Sequence, residues 1–157
     1  ADPIALYKRV NGTATRIGDA GTYVPANGDV YTGEFADGKQ SGYGVMKWNS
    51  GDTYTGDFLN DTLHGFGTYQ WAEGDRYTGW FENGLKHGEG TLEWKNGGVY
   101  TGMFADDGIT GYGVMTLANG DRYEGEFVNA QYHGRGTYTY ADGTARTGRW
   151  ENGKLVE

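Results

Sequence analysis

The chain has no cysteine, which removes disulfides, thiol nucleophiles and cysteine-zinc centres together. It leaves the cellular compartment open. An excess of positive charge is also missing: 13 basic residues face 21 acidic ones, for a net charge of −8. No run of Lys and Arg exceeds Lys8-Arg9. Nucleic acid and anionic membrane surfaces both require a cationic face, so nucleic-acid binding is excluded as an expectation and direct binding to an anionic membrane is disfavoured. No stretch approaches the roughly 18 consecutive apolar residues of a membrane span. No segment carries an apolar stripe at a period of about 3.6 residues, so essentially no helix is expected. The chain starts Ala1-Asp2-Pro3 without Met. Signal-peptidase cleavage, loss of an initiator Met or a vector-derived remnant would each leave that start. The sequence leans toward export, periplasmic or secreted, over the cytoplasm.

What the chain does have is 30 glycines, 13 tyrosines, 6 phenylalanines and 5 tryptophans. Average proteins carry roughly 7% glycine, and this chain is well above that. Disordered chains are poor in aromatics, so an ordered fold with little aliphatic core is expected. The aromatics also recur. YTGEF begins at Tyr31, YTGDF at Tyr54, YTGWF at Tyr77, YTGMF at Tyr100 and YEGEF at Tyr123, a period of 23 residues without a gap. A worn copy, RTGRW, begins at Arg146. A fixed period of this size marks an array built from one supersecondary unit.

Within the copy from Tyr31 to Thr53, Tyr31, Gly33 and Phe35 alternate with Thr32 and Glu34, the period of a strand. A loop with Asp37-Gly38 follows. A second alternating segment then runs from Gly42 to Trp48, and Asn49-Ser50-Gly51-Asp52 closes the copy. Each copy therefore reads as a two-stranded hairpin with turn chemistry at both ends. The third position of every copy is Gly and the fifth is Phe, until Trp150 in the last. Glycines and aromatics share one face, as if rings from neighbouring strands lay over glycine backbone. The other face, with Thr32, Glu34, Lys47, Thr55 and Asp57, is mostly polar. The ends need caps. Ala5-Val10, Asn11-Gly12 and Thr13-Ile17 read as an N-terminal hairpin with a two-residue turn, and Gly21 to Asp29 as half a repeat.

Tyr-x-Gly-x-Phe, a short loop with Gly, then Gly-x-Gly and a trailing Gly-Asp resembles the MORN (membrane occupation and recognition nexus) repeat. The resemblance implies an all-β fold: an elongated, twisted, single-layer antiparallel sheet of tandem 23-residue hairpins, with a groove lined by the repeat aromatics. Residues 1–30 would form the N-terminal cap. Five repeats would span 31–53, 54–76, 77–99, 100–122 and 123–145, with 146–157 as the C-terminal cap. Proteins of this family mostly serve as scaffolds and adaptors, so no enzymatic activity and no cofactor are expected. Asp61, Asp107 and Ala130 replace the loop Gly, which predicts loop conformations that differ between copies.

Three sets of residues are candidates for chemistry. His64, His87 and His133 share a column, but equivalent residues one repeat apart stand roughly 10 Å apart and parallel, whereas metal ligands converge. No metal site is expected. Recurring acids, Glu34, Asp57 and Glu126 and the turn residues Asp29, Asp52, Asp75 and Asp121, sit in similar environments. Acid-base catalysis needs carboxylates in different ones. Turn capping fits better. The third set breaks the repeat. The column of Glu34 and Asp57 switches to Trp80 and Met103, flanked on the polar face by Tyr43, Phe66 and Tyr112. Apolar exposure of this kind marks interaction surfaces. The groove aromatics Tyr31, Tyr54, Tyr77, Tyr100 and Tyr123, with Trp48, Trp71 and Trp94, are core for the most part, and their rims are a second candidate contact. The expected function is a noncatalytic scaffold or adaptor whose partner is another protein, a larger assembly or a second copy of itself. The alternative is a carbohydrate or cell-wall ligand module, since sugar rings and cationic heads sit well on Tyr and Trp.

Overall fold

The computed structural model describes residues 5–10 and 13–157, with side chains described from residue 20 onward. Every regular element among the described residues is a strand. The chain divides into two compact units, one running to Glu73 and including Phe81–Gly84, the other comprising Gly74–Trp80 and Leu85–Glu157. The first unit holds β1 (Ala5–Val10), β2 (Thr13–Tyr23), β3 (Val30–Ala36), β4 (Lys39–Lys47), β5 (Thr53–Leu59) and β6 (Thr62–Gln70). Most of β7 (Arg76–Glu82) belongs to the second, with β8 (Leu85–Glu93), β9 (Val99–Ala105), β10 (Gly108–Thr116), β11 (Arg122–Val128), β12 (Gln131–Thr139), β13 (Ala145–Glu151) and β14 (Lys154–Leu155). In both units strand order is chain order and the pairs are antiparallel.

The expected N-terminal cap hairpin and half-repeat are joined: β2 runs unbroken from Thr13 to Tyr23, pairing with β1 at one end and β3 at the other. The Asn11-Gly12 turn lies outside the described residues.

The core is a ladder of rings. Tyr31 meets Phe35 and Phe58 edge-on, both at 5.0 Å, and Tyr54 meets Phe58 and Phe81 at 5.1 and 5.3 Å. In the second unit the ladder runs from Tyr77 to Phe104, Tyr100, Phe127 and Tyr123. It ends on Trp150, which takes the place of Phe at 5.4 Å from Tyr123. Edge-to-face pairs of this kind contribute about 0.5–1.5 kcal/mol each beyond area burial. The Trp150 indole N–H also donates to the Gly136 carbonyl at 3.0 Å, anchoring the last ring.

Each Tyr ring lies over glycines of its own strand and the next, which refines the expected neighbouring-strand arrangement. Gly33 faces Gly44 across β3 and β4, and a methyl group on Gly44 would stand 2.5 Å from the Tyr31 ring. The Tyr31 hydroxyl then donates to the Glu34 carbonyl at 2.7 Å, within its own strand. Tyr54, Tyr77, Tyr100 and Tyr123 repeat the bond, to Asp57, Trp80, Met103 and Glu126. The other glycine of each Gly-x-Gly has a separate task. Gly42, Gly65, Gly88, Gly111 and Gly134 have φ between 59° and 81°, and at Gly42, Gly65, Gly111 and Gly134 the strand bulges and the register shifts.

The loops do not differ as expected. Asp37-Gly38, Asn60-Asp61, Asn83-Gly84, Asp106-Asp107, Asn129-Ala130 and Asn152-Gly153 all have φ of 47–50° at the first residue and 60–80° at the second. This is the left-handed pair of a type I′ turn, whose twist matches that of the strands. The turn is held from outside: the Asp61 N–H donates to the Gln40 carbonyl one repeat earlier, and Gly84, Asp107, Ala130 and Gly153 donate likewise to Leu63, Lys86, Ile109 and Tyr132. Asp61 and Asp107 add a return bond, accepting the N–H of Gln40 and of Lys86 at 2.8 Å each. A carboxylate compensates for the missing glycine.

Candidate functional site

The turn aspartates hold successive repeats together. Asp29 accepts the N–H of Asn49, Asp52 that of Ala72, Asp75 that of Lys95 and Asp121 that of Ala141, all at 2.8–2.9 Å. Two of them also take a tyrosine hydroxyl, Tyr69 on Asp52 at 2.8 Å and Tyr138 on Asp121 at 2.7 Å. Burial, then the bond to the carboxylate, raises both phenols, while the Tyr138 bond lowers Asp121. The capping expected within each turn reaches the next repeat's turn. Tyr69 and Tyr138 stand three repeats apart in a column that the other full repeats fill with Met46, Leu92 and Met115 and the N-terminal half-repeat with Tyr23; the aromatic residue there is the signal of their role.

The five leading tyrosines are 0% exposed. A partner has no access to Tyr31, Tyr54, Tyr77, Tyr100 or Tyr123. Burial raises the phenols of Tyr31 and Tyr77, and pushes those of Tyr100 and Tyr123 up to about 12. Trp48, Trp71 and Trp94 are half-buried. In the first unit Trp48 and Trp71 pack on opposite sides of Tyr69 in sequence, with ring centres 5.2 and 4.6 Å from it. These rings shape an edge of the core. His64, His87 and His133 lie on β6, β8 and β12, and among the described residues no three His, Asp or Glu gather into a metal-binding group.

The residues that break the repeat are on the opposite face. Tyr43, Phe66, Trp80, Met103 and Tyr112 are 37–57% exposed. The normal occupant of the Trp80 and Met103 column is an acid that serves the bulge: Asp57 accepts the Phe66 N–H at 3.3 Å, and Glu126 the Arg135 N–H at 3.4 Å. Trp80 and Met103 cannot accept such a bond. Their side chains lie beside the bulge glycines instead, at Gly88 and Gly111. In the second unit Met103 pairs with Glu89 on one side and Thr110 on the other, and Tyr112 pairs with Glu126. The Tyr112 hydroxyl donates to Glu124 at 2.8 Å, and Arg122 pairs with the other carboxylate oxygen at 2.7 Å. That hydrogen bond raises Tyr112, and with Arg122 it holds Glu124 below the ordinary carboxylate range. Beside Tyr112 lies a shallow cleft of about 390 Å³, floored by Gly125, Gly136 and Gly148 and walled by Arg135, Thr137 and Thr147.

The 23-residue unit matches the MORN repeat at residues 31–53, 54–76, 77–99, 100–122 and 123–145, most of the chain. The chain belongs to the MORN repeat family. Among solved structures it is similar to the TCP domain of SAS-4 (dCPAP) of Drosophila melanogaster, solved in complex with a proline-rich motif of Ana2 (dSTIL). The identity is 17% and the TM-score 0.53, over 95% of this chain and 80% of that one, a likeness of fold. No curated protein matches. In MORN terms, the repeat tyrosines, phenylalanines and glycines build the sheet, while the column of Trp80 and Met103 and the x of each Gly-x-Gly differ from copy to copy on its other face.

Proposed function

We propose that this MORN chain is a noncatalytic scaffold or adaptor that binds a protein partner through its exposed apolar face. Trp80, Met103 and Tyr112 form the contact on the second unit, and Tyr43 and Phe66 that on the first. One observation carries the reading: at Trp80 and Met103 the chain gives up a bulge-capping acid and places large apolar side chains in water. Exposed aromatics with Met are enriched where proteins meet. The family's scaffold-like character supports it, as does the complex of the SAS-4 TCP domain with a protein motif. A sugar platform on the leading tyrosines is not favoured, because those rings are buried.

The test is affinity capture from the native source with the wild-type chain and a Trp80→Ser/Met103→Ser variant, followed by mass spectrometry and by sedimentation to detect self-association. The variant loses the wild-type partner, or the self-association, with an unchanged circular dichroism spectrum. Full retention of both removes this face from consideration.

A further inference from the structure

The exposed face of the first unit has an order that the second lacks. Along β3 to β6 the outward residues beside the glycine row are Glu34, Tyr43, Asp57 and Phe66. Tyr43 pairs directly with Asp57, and Asp57 in turn accepts the Phe66 N–H. The Glu34 carboxylate lies over Gly42, next to Tyr43 in the chain. Acid and aromatic therefore alternate strand by strand. The row beside them is built from the smaller Thr22, Thr32, Val45 and Thr55, and Tyr43 and Phe66 are 56% and 46% exposed. Neither Glu34 nor Asp57 forms an ion pair among the described residues. The second unit differs: the same row ends in Arg135 and Arg149, paired across β12 and β13, and Glu124 already has Arg122.

The spacing selects a ligand. Two aromatics one repeat apart are two strand separations apart, about 9.6 Å at about 4.8 Å per strand. The two acids have the same separation. A polyproline II helix turns once in three residues at about 3.1 Å each, so it repeats every 9.3 Å or so. Side chains three apart on such a peptide meet equivalent positions on successive repeats. Prolines pack on aromatic faces without a large ordering cost, because the helix is preformed. A cation between them answers the acids.

We infer that the Glu34–Tyr43–Asp57–Phe66 stripe binds a basic polyproline II segment of a partner protein, with prolines at three-residue spacing on Tyr43 and Phe66 and Arg or Lys on Glu34 and Asp57. This rests on the reading of the exposed face as the binding face, and adds the chemistry of the partner. Four strands suffice, so the contact is short and its affinity modest. Salt weakens it through the charge pairs.

The experiment is titration calorimetry of the full chain with a synthetic peptide of four Pro-Arg-Ala triplets, at low and at physiological salt. A peptide of the same composition with irregular proline spacing serves as control. The regular peptide binds. Tyr43→Ser and Glu34→Lys each weaken it by about tenfold or more, the change expected when a hot-spot contact or a charge pair is lost. Circular dichroism confirms that both variants fold. No binding, equal binding of the irregular peptide, or binding unchanged in both Tyr43→Ser and Glu34→Lys overturns the inference. The two readings fail separately. Loss of native-partner capture in the Trp80/Met103 variant stands whether or not this peptide binds. Peptide binding stands even where that variant retains its partner.

Discussion

Tyr31 lies across Gly44 so closely that a single methyl group on the glycine would stand 2.5 Å from the ring. The ring cannot retreat, since Phe35 and Phe58 close on it edge-on at 5.0 Å and its hydroxyl is fixed to the Glu34 carbonyl. Gly44→Ala is therefore an overpacking substitution in extended backbone, and it should cost about 3 kcal/mol. Tyr31→Phe keeps the ring and loses one hydrogen bond, for about 1 kcal/mol. Urea unfolding of both variants checks the order; a Gly44→Ala cost below that of Tyr31→Phe would contradict this packing.

Ala130 and Asp107 hold the same turn position by different means. Ala130 has φ of 60° and a side chain with nothing to offer, so Ala130→Gly should stabilise by about 1 kcal/mol. Asp107 has φ of 70°, but its carboxylate accepts the Lys86 N–H and pairs with the Lys86 ammonium at 3.1 Å. Asp107→Gly should gain the same conformational relief and lose a charge-assisted bond of about 1.5–3 kcal/mol, for a net loss. Opposite signs in a thermal melt are the expected result.

High pH should unfold the ladder before it ionises the buried tyrosines within it. Burial raises the tyrosines from 10.0 to about 12 at Tyr100 and Tyr123, so the unfolded chain releases these protons first. Their stabilising contribution is complete below pH 10 and is lost as pH rises toward 12. Each such tyrosine gives a slope of about 1.4 kcal/mol per pH unit across that window. The share of phenolate absorbance that Tyr100 and Tyr123 contribute should therefore appear together with the change in circular dichroism. Phenolate signal from these residues in a still-folded chain would contradict it.

Acid acts at the staples. Asp121 is held below 3.8 by the Tyr138 hydroxyl and the Ala141 N–H, so its contribution is present above the unfolded value and is lost as pH falls below about 4. Asp121→Asn should flatten the acid limb of the stability curve. It should also reduce the Tyr138 share of the alkaline limb, because the Asp121 carboxylate helps to raise that phenol.

The chain itself determined the period, the hairpins, the turn positions and the ring columns, because strand alternation and turn chemistry are local and recur without a gap. It also singled out Trp80 and Met103, since a departure from a repeat is visible without coordinates. What the sequence could not decide depends on neighbours across strands. The bulge at each Gly-x-Gly shifts the register, and only the paired strands show that Tyr31 buries Gly44 or that Asp57 serves Phe66. The loops make the same point. Asp61 and Ala130 look unlike Gly38 in sequence, yet all take one left-handed turn, because a hydrogen bond to the preceding repeat and the twist of the flanking strands impose it. Burial was decided there too: the leading tyrosines and Tyr43 are the same residue type, and the face each meets makes the first core and leaves the second exposed.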